Sequence, residues 1–532
     1  MSDELDDLPN IVIFIPDEMR GDTINNPHIQ IPNIKSIADD GGVIFTNNFS
    51  VNPVCGPSRV CTFTGQYPHN GGHRSLYQLI QPHDENLFKI LKNKGYEVIW
   101  IGRNDLFHST AIPGSVDKRM NSGVKRLTSA LLKGIGEAPN GKELMDKLMA
   151  SSNIMHLPKG ITKYLAPYIP TNPYPMEHRL RKSFYYGERT EEQAKYDMDQ
   201  AIINDALKYL KKYARTKNKK PFCLYIAMNF PHPPYYVEEP YFSMYDRKKI
   251  PSPFPPDVRE KFSYDDKPKF MKVMHERYGL NKLTDEDFRE ILAVYYGMIS
   301  KVDFQVGQVL DKLKEIGVYD NTAIAFFADH GDYAGSYGLT EKWANGVHDC
   351  LLNVPLVVKI PGVIPAKKEN KLLTETIDVF QTLLEVAKIE TPYTHFSKSL
   401  IPAMKGEVEE HRNAVFMEGG YDPREPQAFE DVVPSPETAF TGIYYDKTNI
   451  PIEDREINCR TTMIRTKEWK LAIRSAPGMK EEFYDLKNDP QELVNLIDDP
   501  KYSETIKELK ERILYWYLRT SDNPHWAHQR EP

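Results

Sequence analysis

The 532-residue chain is short of the features that mark special classes of protein. It has five cysteines, an odd number at irregular spacing, which excludes a disulfide framework. No apolar run approaches the ~20 residues of a membrane-spanning helix, so no membrane partner is expected. The basic excess of a nucleic-acid binder is missing too: 68 Lys and Arg against 75 Asp and Glu leave a net charge of −7. The segment from Met1 to Asp7 is acidic and has no apolar core, so it is not a signal peptide. As written, the chain is expected to be cytoplasmic, or exported if a leader has been removed. There is no internal repeat or low-complexity tract. What is present is the composition of a soluble globular protein, 40% hydrophobic and 27% charged, with a mean hydropathy of −0.54. Forty prolines and 31 tyrosines indicate many ordered loops, where enzymes place their specificity.

The apolar pattern predicts an α/β fold. Asn10 to Ile15 reads as a buried strand that runs into Pro16-Asp17-Glu18. Leu87, Phe88 and Leu91 sit at helical spacing before Gly95, and Glu97 to Ile101 then reads as a strand. Phe222 to Met228 is another strand. Thr284 caps a long amphipathic helix whose apolar residues run from Phe288 to Leu313. A strand from Thr322 to Ala328 ends in Asp329-His330. Alternating strands and helices imply a large, mainly parallel sheet flanked by helices. Ligands in such folds gather at the carboxyl ends of the strands, where Asp17 and Asp329 lie. Residues 105–220 fit this rhythm poorly and read as an insertion; Lys118 to Lys182 holds twelve Lys and Arg against four Asp and Glu, suited to an anionic substrate. Two domains are expected. Residues 1–410 form the catalytic α/β domain. Residues 411–532 form a smaller α+β subdomain, with a small antiparallel sheet and a terminal helix around Ile506 to Trp516.

One segment carries more chemistry than any other: Val54-Cys55-Gly56-Pro57-Ser58-Arg59, followed by Thr64-Gly65. Pro favours the first turn of a helix, and Gly65 can end it. Cys55 then stands at the helix N-terminus, where free N–H groups favour negative charge, and Arg59 lies one turn on. The run resembles the sulfatase signature Cys-x-Pro-Ser/Ala-Arg. The likeness extends to Met463–Leu471, Phe483-Tyr484-Asp485-Leu486 and Asp489–Leu496, which are similar to the family's C-terminal subdomain.

This resemblance implies an alkaline phosphatase-like fold and a sulfate ester hydrolase. Cys55 is oxidised to formylglycine in that family by a formylglycine-generating or an anaerobic sulfatase-maturating enzyme, and its hydrate is the nucleophile. The resemblance implies a divalent cation on Asp17, Asp329, His330 and residue 55. Oxygen ligands favour Ca²⁺, and His330 leaves Mn²⁺ or Mg²⁺ open. His232, in Pro231-His232-Pro233, and Lys342, at the end of Gly335–Lys342, match family residues that bind sulfate or protonate the leaving oxygen. Arg59 would hold the nucleophile, and His348 is expected to point into the cleft. The chain departs from the family after Ile101, where Gly102-Arg103-Asn104-Asp105 replaces Gly-Lys-x-His. Arg103 can contact the anion, with a planar fork instead of a point charge. Either Asp105 or His108 is then the candidate for the missing base. The Asp329-His330 pair and the lone Asp17 resemble choline sulfatases and phosphonate monoester hydrolases. This leaves three readings: a sulfatase, with a sulfated carbohydrate among its candidate substrates, a phosphonate monoester or phosphodiester hydrolase, and a non-catalytic binding homologue.

Overall fold

The computed structural model describes residues 8–123, 129, 172–175, 177–217, 219–391, 393–422, 424–425 and 444–521. Its main sheet has eight strands. In chain order they are β1 (Asn10–Asp17), β2 (Val43–Phe45), β3 (Glu97–Gly102), β4 (Lys118–Met120), β5 (Phe222–Pro231), β6 (Thr322–Phe327), β7 (Leu356–Lys359) and β8 (Glu369–Asn370). Their spatial order is β8-β2-β7-β6-β1-β5-β3-β4. The run from β6 to β4 is parallel throughout. β7 is antiparallel to both of its neighbours.

Alternation of side chains along each strand builds two cores, one on either face of the sheet. In β1, Val12 and Phe14 face one core, and Ile11, Ile13 and Ile15 face the other. β5 repeats this, with Leu224 and Ile226 on the first face and Cys223 and Tyr225 on the second. The first core is closed by α1 (Pro32–Asp39), α4 (Met198–Ala214) and α5 (Asp285–Glu315). The second is closed by α2 (Cys55–Thr64), α3 (Leu87–Lys94) and α6 (Asp378–Val386). α5 begins as its sequence predicts. Thr284 accepts from the Asp287 N–H, Asp287 bonds back to the Thr284 N–H at 2.8 Å, and three acids occupy the positive first turn.

The structure redraws the predicted insertion. Lys118–Met120 is the edge strand β4, paired in parallel with β3. α4 packs on β5 as an ordinary flanking helix, through Ile203, Ala206 and Leu210. A three-residue edge strand of Lys-Arg-Met carries no apolar run, and the polar face of α4 hides its stripe. Residues 130–171, the centre of the basic stretch, lie outside the described residues.

A second sheet of four antiparallel strands follows: β9 (Val415–Gly419), β10 (Thr461–Arg465), β11 (Trp469–Arg474) and β12 (Glu482–Asp485). The terminal helix α7 (Ser503–Thr520) lays Ile506, Leu509 and Ile513 against Ile464, Leu471 and Phe483. Trp516 stacks on Phe416 with ring centroids 4.6 Å apart. Near the end of β9, Glu418 reaches back towards the loop after α2. Its carboxylate accepts from His69 Nδ1 (2.6 Å), the His69 N–H (3.0 Å), Arg74 (2.9 Å) and the Tyr517 hydroxyl (3.0 Å).

Candidate active site

Four neighbouring strands of the main sheet deliver polar residues at their carboxyl ends. β1 ends in Asp17 and Glu18, β6 leads into Asp329 and His330, β3 into Arg103, and β5 into His232. The exit from β3 requires glycine: Gly102 has φ +105°, and a Cβ there would sit 2.0 Å from the Ala227 carbonyl oxygen. Across from these ends lies α2, which Gly65 terminates in the left-handed conformation, as predicted. Cys55 is its first residue, and the whole helix is buried.

Arg59 organises the acids. Its Nε donates to Asp329 Oδ2 at 2.8 Å and its Nη2 to Asp17 Oδ2 at 2.7 Å. Arg103 adds a third contact, Nη1 to Asp17 Oδ2 at 2.9 Å. Asp329 Oδ1 accepts from the backbone N–H groups of Glu18 at 3.1 Å and His330 at 2.9 Å, and Asp17 Oδ1 lies 3.5 Å from Cys55 Sγ. His330 Nε2 lies 3.8 Å from Asp17 Oδ1, 3.9 Å from Asp329 Oδ1 and 3.2 Å from Cys55 Sγ. One donor atom from each of Asp17, Cys55, Asp329 and His330 thus falls within 4.8 Å of all the others, and all four residues are buried.

This donor set fits a divalent cation. The His330 Nδ1–H donates to the Gly331 carbonyl at 2.9 Å, which leaves the Nε2 lone pair for the shared point. Burial lowers the imidazole to about 4, so the ring is neutral, as a ligand must be. Burial also raises Asp17 to about 6 although Arg103 and Arg59 pull it down. In Asp329 burial is outweighed by Arg59 and His330, which hold the carboxyl well below its usual range. An unmodified Cys55 is no thiolate here, because burial, and then Asp17, push the thiol far up.

A second cluster adjoins the first. Lys342 Nζ lies 2.7 Å from Glu18 Oε2, 2.9 Å from Glu341 Oε1 and 3.0 Å from His232 Nε2. Burial, and then Lys342, keep His232 neutral. Glu18, next to Asp17, is the anchor of Lys342, adopts φ +69°, and also lies 3.4 Å from His232 Nε2.

The structure therefore brings together Asp17, Cys55, Arg59, Arg103, His232, Asp329, His330 and Lys342. Asp105 joins at the edge, ion-paired with Arg103 Nε. His108 does not join. It is exposed and turns its Nδ1 to Thr110 Oγ1 at 2.7 Å, capping a short helical turn. His348, expected in the cleft, is buried among Tyr333, Tyr337, Glu482 and Tyr484, none of which belongs to the cluster. It follows the polar Lys342 loop, but the sheet β9–β12 draws it away. Sequence reasoning missed Glu341 and Lys447, the latter ion-paired with Oε2 of Glu341. Lys342 itself was the available signal, since a buried ammonium needs more than one acid.

A point of converging anionic donors surrounded by guanidinium, ammonium and imidazole groups is suited to hydrolases that cut anionic esters. The family model described as Sulfatase matches residues 9–389, and one described as N-sulphoglucosamine sulphohydrolase, C-terminal, matches residues 432–517. The chain belongs to the sulfatase family, the sulfuric ester hydrolases. It is 26% identical over 545 residues to the multifunctional alkaline phosphatase superfamily protein PehA of Trinickia caryophylli, with 96% of each chain covered. It is 25% identical over 522 residues to an arylsulfatase of Clostridium perfringens, covering 95% of this chain and 94% of that one. Its fold is similar to that of the phosphonate monoester hydrolase of Agrobacterium radiobacter, with a TM-score of 0.68 at 22% identity and 96% of each chain covered.

Proposed function

We propose that residue 55, oxidised from Cys to formylglycine, is the nucleophile of this enzyme, and that its substrate is a sulfate ester of a carbohydrate. The observation that carries the reading is the convergence of Asp17, Asp329, His330 and residue 55 on one point that Arg59 and Arg103 flank. Those four residues would hold a divalent cation: Ca²⁺ by its oxygen donors, with Mn²⁺ and Mg²⁺ admitted by His330. When bound, the ion supplies positive charge to the sulfuryl oxygens and favours ionisation of a hydroxyl at residue 55. The oxidation requires a formylglycine-generating or an anaerobic sulfatase-maturating enzyme as partner.

One hydroxyl oxygen of the residue 55 hydrate gives its proton to Asp17, whose Oδ1 lies 3.5 Å from Cys55 Sγ, and bonds to sulfur while the bond from sulfur to the leaving oxygen breaks. The leaving oxygen takes a proton from the Lys342–His232 pair. Arg59 and Arg103 offset the charge that builds on the sulfuryl group. The second hydroxyl of the hydrate then gives its proton to a base and its C–O bond becomes C=O. Sulfate departs with the electron pair of the other C–O bond, and water restores the hydrate. Asp105, beside Arg103, is the base in place of the family's His.

The likeness of the C-terminal part to a sulphoglucosamine sulphohydrolase module and the basic stretch from Lys118 to Lys182 support a carbohydrate substrate. A phosphonate monoester is the second reading, favoured by Arg103-Asn104-Asp105. Release of sulfate from carbohydrate, aryl and choline sulfates, measured beside hydrolysis of an aryl phosphonate, separates the two. Faster turnover of a carbohydrate sulfate is expected, and faster turnover of the phosphonate would select the second. Cys55→Ala should abolish turnover of every ester while the protein melts normally. Full activity of that variant would end both.

A further inference from the structure

Lys342 is held on three sides. Its ammonium donates to Glu18 Oε2 and Glu341 Oε1 and faces His232 Nε2. The other ring nitrogen of His232 lies 2.6 Å from the Pro233 carbonyl oxygen, which can only accept. The neutral ring therefore donates from Nδ1, and Nε2 accepts from Lys342. Each ammonium hydrogen has a partner, and the mobile proton of the pair resides on Lys342.

Glu341 is the unexplained member of this group. It is fully buried, adopts φ +65°, and its hydrogen bonds and ion pairs go to Tyr235, Asp332, Lys342 and Lys447. Tyr235 and Asp332 fix its backbone: the Glu341 N–H donates to the Tyr235 hydroxyl at 2.9 Å and to Asp332 Oδ1 at 3.1 Å. Its two oxygens face different cations. Oε1 takes Lys342, while Oε2 takes Lys447 and the Lys342 N–H at 2.7 Å. Lys447 arrives on the helix Tyr445–Glu453, more than a hundred residues later in the chain. That helix is tied down beside it by Asp446, which pairs with Lys182 at 2.7 Å and with Arg277 at 3.3 Å. A left-handed backbone at a non-glycine residue is strained and persists only where its surroundings impose it.

We propose that Glu341 and Lys447 are positioning residues: Glu341 fixes the Lys342 ammonium beside His232, and Lys447 fixes Glu341. Proton delivery to the leaving oxygen thereby depends on a residue from the C-terminal part of the chain. The proposal rests on the reading of Lys342 and His232 as the acid pair. Lys447 competes for Glu341. With Oε2 engaged, only Oε1 is left to pull on Lys342, and Glu18 Oε2 holds the same ammonium at 2.7 Å. Without Lys447, both oxygens of Glu341 turn to Lys342 and draw it off the leaving group.

The test is the dependence of rate on the leaving group. kcat and KM are measured for the wild type, Lys447→Met, Glu341→Gln and Lys447→Arg on aryl sulfates whose phenols rise in pKa, from nitrophenol to phenol. Aryl phenylphosphonates replace them if those are what the wild type turns over. A nitrophenolate leaves without a proton, whereas phenolate needs one. Lys447→Met and Glu341→Gln should lose kcat about tenfold or more on the phenol ester and little on the nitrophenol ester, with KM nearly unchanged. Lys447→Arg, which keeps the charge, should recover most of the loss, and the double variant should be no worse than Glu341→Gln. An equal loss on every ester, or no loss, overturns the proposal while leaving the site reading intact. If Lys447→Met fails to fold, the isosteric Glu341→Gln gives the same readout. If the wild type turns over only sugar sulfates, whose alkoxides need a proton to leave, the loss in Lys447→Met and Glu341→Gln is read on those esters. A wild type that carries formylglycine at residue 55 and turns over neither these series nor carbohydrate and choline sulfates overturns the site reading and this proposal with it.

Discussion

Glu418 offers a quantitative check on how the two sheets are joined. Its carboxylate is buried, and burial alone would raise its pKa. The hydrogen bond from His69 and the charge of Arg74 outweigh that effect and bring it from an ordinary 4.5 to about 2. At about 1.36 kcal/mol per pH unit, that difference contributes about 3 kcal/mol to the folded state. The sign follows from the folded value lying below the unfolded one. The contribution is complete above the unfolded value of 4.5, and it is lost as the pH falls from there towards about 2. Glu418→Gln keeps the shape and removes the charge. At neutral pH the variant should therefore be less stable by about 3 kcal/mol, a shift of a few degrees in Tm for a chain of this size. The assay is thermal and urea unfolding of both proteins from neutral pH down to about pH 3. The wild type should lose stability faster than the variant below about pH 5, so that the two curves converge. Parallel curves, or a variant equal to the wild type at neutral pH, would refute the reasoning.

Two further outcomes follow from the site. Arg59→Lys cannot span Asp17 and Asp329 with a single ammonium and loses one charge-assisted hydrogen bond, worth about 1.5–3 kcal/mol. kcat/KM should fall roughly ten- to hundredfold, and a value within about threefold of wild type would contradict the assigned role of Arg59. Removing divalent cations with a chelator should lower the melting temperature, and adding back Ca²⁺, Mn²⁺ or Mg²⁺ in turn should restore it most for the ion the site prefers. A melt that neither treatment moves would speak against a cation at Asp17, Asp329 and His330.

The central strands were legible because they are buried on both faces and read as unbroken apolar runs. β1, β5 and β6 lie where the sequence places them, within a few residues at their ends. The helix starting after Thr284 was legible from its cap and its period. β4 was not, because an edge strand of three residues needs no apolar side chain. In the site, residues at strand ends and at the start of α2 could be read from local pattern. His348 could not, since its orientation is decided by Glu482 and Tyr484, more than 130 residues away. Glu341 and Lys447 form a pair only through the tertiary fold, which brings the helix Tyr445–Glu453 to the Gly335–Lys342 loop.

β1 lies between β5 and β6, and this order has a consequence for how the protein is made. Ile11 pairs with Cys223 on one side and Ala323 on the other, so its partners are synthesised roughly 210 and 310 residues later. At about 5–20 residues per second, the first partner emerges roughly 10–40 seconds after β1, and the second roughly 15–60 seconds after it. Throughout that interval Ile11 to Ile15, a strand apolar on both faces, has no sheet to enter. Asp17 is likewise kept from Asp329. Biosynthesis thus leaves an apolar strand without its sheet partners for longer than it leaves β5 or β6, and shielding of that first strand is needed until β6 has left the ribosome.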